Sequence, residues 1–439
     1  MRNNNQHNIQ RLLSNTFLIL IFLLPILRYY NLGGTGIGME SLMNLLALCV
    51  GVILVFSVHS QDKQIAELRS SKRWFAAFGL WAIMITLVYE ICTNINVTTS
   101  NASYTINVFI VMIINIILIY TILKGCFDID SCVKIYTWIV YFLMALYCFQ
   151  WVLYSTGTII DFKLPFMKFT SSWSYLEYKH FGMSPYPRAL FSEKAHLSQY
   201  LVPYIALCLY SNKIIKRHRI EKAIIVSAVV ISTISGNGII IVGIEWLVYF
   251  LFFGQITKNR RIIFTVLGPL LMAGVYYMLS SIPSFSSMFS MLFSSENVGI
   301  SSKADYRIYR GFDIFRQLPW FGKLFGVGND HMYLFSLEYG ISSIYDRSMQ
   351  GYEYFSAWFE TAIYYGFIGL FMSYKHLRAL FKMKSNAVKG LIFVVAALWV
   401  STEMIFTNFH IMYVLIIVAV AVYEKREIGS NENWNINMS

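Results

Sequence analysis

A run of about 20 apolar residues has few stable uses in a folded chain, and here such runs follow one another along nearly the whole sequence. They fall at 14–32, 39–59, 74–92, 105–123, 135–155, 195–211, 221–235, 238–254, 262–280, 355–374, 390–406 and 409–423. At about 1.5 Å per residue, ~20 helical residues match the ~30 Å hydrocarbon layer of a bilayer. A backbone inside that layer must satisfy its own hydrogen bonds, which makes the helix the default span. The expectation is an all-α, polytopic integral membrane protein with about 12 transmembrane helices, residues 1–439 forming a single membrane domain. Composition agrees, because hydrophobic residues make up 57% and charged residues only 13% of the chain, away from the balance of a soluble domain.

The formal charge of +12 raises nucleic acid as a partner, so the placement of the cations decides. Lys63, Arg69, Lys72 and Arg73, then Lys213, Lys216, Arg217, Arg219 and Lys222, then Lys375, Arg378, Lys382, Lys384 and Lys389 fall in alternate short loops. The intervening loops carry almost none, and 93–104 has no charge. Basic residues in short loops resist translocation, so the charge reads as a topology signal: both termini cytoplasmic, 424–439 a cytoplasmic tail, no nucleic acid. Two loops on the outer side are long, 156–194 and 281–354, and long loops translocate largely regardless of charge.

Cysteine spacing shows neither a zinc site nor a disulfide framework, and no metal is expected. The first span reads as an uncleaved helix, having no small-residue cleavage site. Asp128-Ile129-Asp130 reads as a turn between spans. Asn96-Val97-Thr98 and Asn101-Ala102-Ser103 read as chance matches to a glycosylation sequon.

The second long loop holds the densest set of polar groups. Residues 301–316 have the spacing of an amphipathic helix, with a capping-box-like start at Ser302 and Asp305. Lys303, Arg307 and Arg310 share one face, and Ile308, Phe312 and Phe315 another. Pro319 ends the helix, and Gly322, Gly326 and Gly328 lead to Asp330-His331. At the end of the first long loop, Arg188, Glu193 and His196 stand together where the chain re-enters the membrane. Glu193 and His196 share a helix face at i, i+3, while an interfacial anchor and a helix-dipole partner are the competing readings for Arg188 and Glu193. Glu90, Glu245, Glu360 and Glu403 lie in the outer halves of spans, where ionisable groups are costly and become functional candidates. Snorkelling or interfacial pairing is the preferred account of Glu90 and Arg28.

These segments resemble bacterial polysaccharide polymerases of the Wzy type and the related O-antigen ligases. The likeness rests on Arg188 to Pro203, on the arginine-bearing helix followed by Leu318-Pro319-Trp320-Phe321-Gly322 and Gly326-Val327-Gly328, and on Gly366-Phe367-Ile368-Gly369. Lys194 stands where that family commonly has proline. The resemblance implies a GT-C-like membrane fold with short amphipathic helices in the long loops, in the bacterial cytoplasmic membrane. It implies transfer of a growing glycan from undecaprenyl diphosphate to a sugar hydroxyl of a lipid-linked acceptor, at the outer face, without cofactor or metal. A chain-length regulator is an implied partner.

Under that resemblance, Arg188, Arg307 and Arg310, with Arg316 more weakly, are expected to bind the diphosphate, since the guanidinium fork suits phosphate oxygens. His331, Glu193 and Glu360 are rival bases for the acceptor hydroxyl, an ordinary loop histidine being the competing reading of His331. An O-antigen ligase is the alternative enzyme. A lipid-linked oligosaccharide flippase is the alternative from another class, although it should have two similar halves and cations inside its spans.

Overall fold

The computed structural model describes residues 2–32, 38–57, 66–92, 99–123, 129–156, 158, 162, 164, 167–169, 187–212, 214–233, 235–253, 304–329, 331–341, 356–383, 385–401 and 407–436. The apolar run at 262–280 and the proposed cap at Ser302 lie outside them.

The described chain is helical apart from one short ribbon. In order it runs α1 (Arg2–Leu27), β1 (Tyr30–Leu32), α2 (Met39–Ser57), α3 (Ala66–Cys92), α4 (Thr99–Leu123), α5 (Ile129–Ser155) and β2 (Met167–Phe169). There follow α6 (Lys194–Tyr210), α7 (Arg219–Ser232), α8 (Gly236–Val248) with a π-helical turn at Tyr249–Phe253, and α9 (Ala304–Gln317). The chain continues through α10 (Trp320–Phe325), α11 (Met332–Tyr339), α12 (Ala357–Phe381), α13 (Asn386–Ser401) and α14 (Asn408–Ile436). Among the described residues, five helical segments are long and apolar enough to cross a membrane, at Ile9–Leu27, Met39–Ser57, Ala66–Tyr89, Ile129–Ser155 and Gly236–Phe253. Shorter apolar helices lie at Phe109–Thr121, Asn386–Val400 and Asn408–Glu424.

A helix that is apolar on every side belongs inside a bundle, and two helices here meet that description. α6 is buried almost continuously from His196 to Tyr210, and α14 is buried from Asn408 to Val422. Around them the outer helices keep an apolar face exposed, as with Leu45, Ile53 and Phe56 on α2 and Trp138, Phe142 and Val152 on α5. That is the surface a bilayer covers.

Between helices in lipid, close packing and hydrogen bonds hold the structure more than hydrophobic burial does. Tyrosines supply many of these bonds. Pro203 inside α6 has no N–H to give the Gln199 carbonyl one turn back, and the Tyr413 hydroxyl on α14 donates to that carbonyl at 3.1 Å. Tyr136 donates to the Tyr200 carbonyl at 2.7 Å, and Tyr200 to the Phe22 carbonyl at 3.0 Å, joining α5, α6 and α1.

Short amphipathic helices were the expectation for both long loops. In 281–354 the described residues form α9, α10 and α11. In 156–194 they instead include strand β2, paired antiparallel with β1 through Tyr30 and Phe169, Asn31 and Lys168, and Leu32 and Met167. The extended segment left after α1 ends offers free backbone groups, and the loop pairs with them.

Candidate functional site

Two groups of elements carry the polar residues singled out in the sequence. The first is the corner leading into α6. Gln150 on α5 uses one side-chain oxygen to accept from the backbone amides of both Arg188 and Ala189, at 2.8 and 2.9 Å. Ala189 adopts φ +52°, in the left-handed region that alanine seldom visits. The Tyr30 hydroxyl fixes the next carbonyl, that of Leu190, at 2.7 Å. With the turn held this way, the Arg188 guanidinium folds under it and donates to the Ser192 carbonyl, leaving the residue only 2% exposed.

α6 starts at Lys194, so Glu193 is its N-cap residue rather than a first-turn residue, and its side chain makes no capping bond. Glu193 is half-buried; its carbonyl accepts from the Leu197 amide at 3.4 Å, while its side chain forms no hydrogen bond or ion pair among the described residues. His196 is engaged differently. Its Nδ1 lies 3.2 Å from the Ser192 hydroxyl and its Nε2 2.9 Å from the Tyr29 hydroxyl, with the Tyr29 ring stacked on it at 4.4 Å. The Arg28 guanidinium covers Tyr29 at 5.2 Å. Arg28, read in the sequence as snorkelling, thus belongs to a line of polar groups running through Tyr29, His196 and Ser192 to Arg188.

The second group is built on a broken helix. Gly366 takes φ +67° and ψ −169° inside α12, which interrupts the helical ladder and frees carbonyls in the preceding turn. The glycine-rich loop after α10 fills the break. Val327 donates to the Ile363 carbonyl and Gly328 to the Tyr364 carbonyl, each at 3.0 Å, while Trp81 on α3 donates to the Tyr365 carbonyl at 2.9 Å. The fit leaves no room for a side chain, since a Cβ on Gly326 would sit 2.2 Å from the Tyr364 oxygen and one on Gly366 2.3 Å from the Leu324 oxygen. Asn329 continues the lock, its amide donating to the Thr86 hydroxyl at 3.0 Å and its side-chain oxygen accepting from the Tyr365 hydroxyl. The Asn329 side-chain nitrogen is buried without a hydrogen-bond partner among the described residues.

His331 follows this loop, fully buried, its ring 5.9 Å from Tyr89. Burial holds its pKa below the ordinary histidine value, against a smaller opposing effect of the Val327 backbone. The imidazole is therefore neutral near pH 7 and able to accept a proton. Arg310 sits on the face of α9 that includes Gly311 and Ile314, and it is 1% exposed, whereas Phe312 is 54% exposed. The cause is Gly311, which lets α9 approach α12 so closely that a Cβ there would lie 2.5 Å from Phe359. The approach turns Arg310 inward and brings its helix against the first turn of α12, where Glu360 is also buried.

α9, which bears Arg310, thus packs on α12, which bears Glu360, and the loop that leads to His331 bonds into the break in α12. Arg188 and Glu193 lie in the turn entering α6 and His196 in its first turn, with Gln150 of α5 holding Arg188 and Tyr29 holding His196. α13 packs against α6 on one side and against α9 and α12 on another. Arg316 belongs to neither group, being exposed with Asp313 at 3.7 Å. The side chains of Arg307, Glu90 and Glu403 lie outside the described residues, as do Lys303 and Asp330. Glu245 is buried in α8, and its carboxylate has no hydrogen-bond partner among the described residues. No group of three or more histidine, cysteine, aspartate or glutamate side chains is placed to hold a metal among the described residues.

Sequence reasoning missed Gln150, Tyr29, Thr86, Asn329 and Tyr365 as parts of these assemblies. Gln150, a polar residue in an otherwise apolar span, was the one with a visible signal. In comparison with known proteins, no family model and no curated protein matches this chain.

Proposed function

We propose that the protein is a membrane glycosyltransferase, a polysaccharide repeat-unit polymerase that moves a growing glycan from undecaprenyl diphosphate to the sugar hydroxyl of a lipid-linked acceptor. The observation that carries the reading is the burial of two arginines, Arg188 and Arg310, in a chain of membrane-like composition. One is buried by a left-handed turn at Ala189 and the other by the contact of Gly311 with Phe359. A guanidinium presents a rigid fork of donors that matches the oxygens of a diphosphate, the leaving group this reaction requires. The reading includes about twelve spans, both termini in the cytoplasm, and both arginine-bearing segments on the outer side.

In this reaction the acceptor hydroxyl oxygen attacks the anomeric carbon, the bond from that carbon to the lipid diphosphate breaks, and the hydroxyl proton passes to a base. The leaving diphosphate takes up negative charge, which Arg188 and Arg310 neutralise, such donors being worth roughly 10²- to 10³-fold in rate each. His331, neutral at the working pH, and the half-buried Glu193 are the bases on offer. Glu360 is the third candidate, buried on the helix that Arg310 packs against.

Deleting the protein in its native host and sizing the surface glycans and lipid-linked intermediates tests this directly. Single repeat units without long chains are expected. Long chains left on the lipid carrier would make the protein the ligase, and intermediates trapped on the cytoplasmic face would make it a flippase. A topology reporter on Asn329 is expected outside the cell, and a cytoplasmic signal there would invert the arrangement.

A further inference from the structure

At the other end of α6 from Arg188, a cleft of about 220 Å³ opens between the start of α5, the turn after α6 and the start of α7. Three lysines from three separate segments line it: Lys134 on α5, Lys216 in the turn and Lys222 on α7. Thr137 and Tyr204 add hydroxyls, and Trp138 and Ile214 add apolar wall. Like charges gathered in one cleft repel, and none of the three ammonium groups has an ion-pair partner among the described residues. Glu221, next to Lys222 in sequence, is turned to His218 at 3.6 Å.

The cleft also has a route for acyl chains. It lies where α5 and α7 turn apolar faces outward, with Trp138 at 75% exposure beside Phe142, and with Ile224 and Ile225 exposed on α7. Tryptophan at such a level is typical of the headgroup zone. This end of the bundle is also the one that the loop charges assign to the cytoplasm.

We propose that this cleft is a binding site for the phosphate headgroup of an anionic phospholipid of the cytoplasmic leaflet. Lys134, Lys216 and Lys222 hold the phosphate, and the acyl chains lie along the exposed faces of α5 and α7. Basic pockets between helices on this side of a membrane suit such headgroups, and each lysine near the surface strengthens the attraction. The site is independent of the polymerase reading and lies at the other end of α6 from Arg188.

The test is lipid retention by the full-length protein, purified from an equal mixture of phosphatidylglycerol and phosphatidylcholine and measured by native mass spectrometry. The wild type is expected to retain phosphatidylglycerol preferentially. The combined Lys134→Gln, Lys216→Gln, Lys222→Gln variant is expected to lose that preference, by roughly 100-fold at low salt. The matching triple arginine variant keeps the charge and is expected to keep the preference, which separates charge from misfolding. Equal retention of the two lipids by the wild type, an undiminished preference in the glutamine variant, or loss of preference in both triple variants would overturn the proposal. Displacement of phosphatidylglycerol by millimolar inorganic phosphate would assign the cleft to a soluble phosphate compound and overturn the lipid.

Discussion

Arg188 and Arg310 are equally buried, yet they reach that state by opposite means. Arg188 is placed by its own backbone, in a left-handed turn at Ala189 held by Gln150 and Tyr30, and its guanidinium bonds within the same turn. Arg310 lies on a regular helix and is turned inward by a neighbour, through the contact of Gly311 with Phe359. The first site is local and stiff. The second depends on α12, whose break at Gly366 is held open by the loop that leads to His331. The comparison predicts that damage to α12 reaches Arg310 and His331 together while leaving the Arg188 corner intact.

The largest expected effect comes from Gly366→Ala. A left-handed backbone and a Cβ 2.3 Å from the Leu324 oxygen should cost about 3 kcal/mol or more and release the loop at 326–331. Limited proteolysis should then cut near that loop and spare 187–193. Equal sensitivity at both places would erase the distinction between the two sites. Gln150→Leu is the converse test. It leaves the Arg188 and Ala189 amides buried without their acceptor, at about 2 kcal/mol, and a lower melting temperature with unchanged protection of 326–331 is expected.

How far these sites were legible in the sequence follows from the same contrast. The apolar runs marked most of the helices, because membrane spans announce themselves by length and hydropathy alone. Pro319 and the glycines marked the loop, and the spacing of 301–316 marked α9. The spacing of α9 could not say which face turns inward, because that is decided by Gly311 meeting Phe359, nearly 50 residues on. The break at Gly366 was equally hidden, since glycine within an apolar run usually continues the helix. Nor could the sequence anticipate that the stretch around Met167 pairs with the segment after α1.

Smaller effects sharpen the picture further. Ala189→Gly should relieve the left-handed turn and raise stability by up to about 1 kcal/mol, read as a higher melting temperature. A drop on that substitution would mean that the turn is not strained. The smallest effect expected is a pH dependence from His331, whose pKa burial holds below its unfolded value of about 6.5. Between the two values the unfolded chain binds more protons, so this contribution is intact above about pH 6.5 and is lost as pH falls toward the folded pKa. His331→Phe should flatten the difference in melting temperature between about pH 7.5 and 5.5, and an unchanged difference would show that the imidazole does not titrate there.

The most direct test of the central claim is Arg310→Ala in the native host, with Arg310→Lys beside it and membrane insertion checked for both. If the buried guanidinium neutralises the lipid diphosphate, the alanine variant inserts normally and makes no long glycan. The lysine variant then restores little, because a point charge does not replace the planar fork. Wild-type chain lengths in the inserted alanine variant would contradict the account.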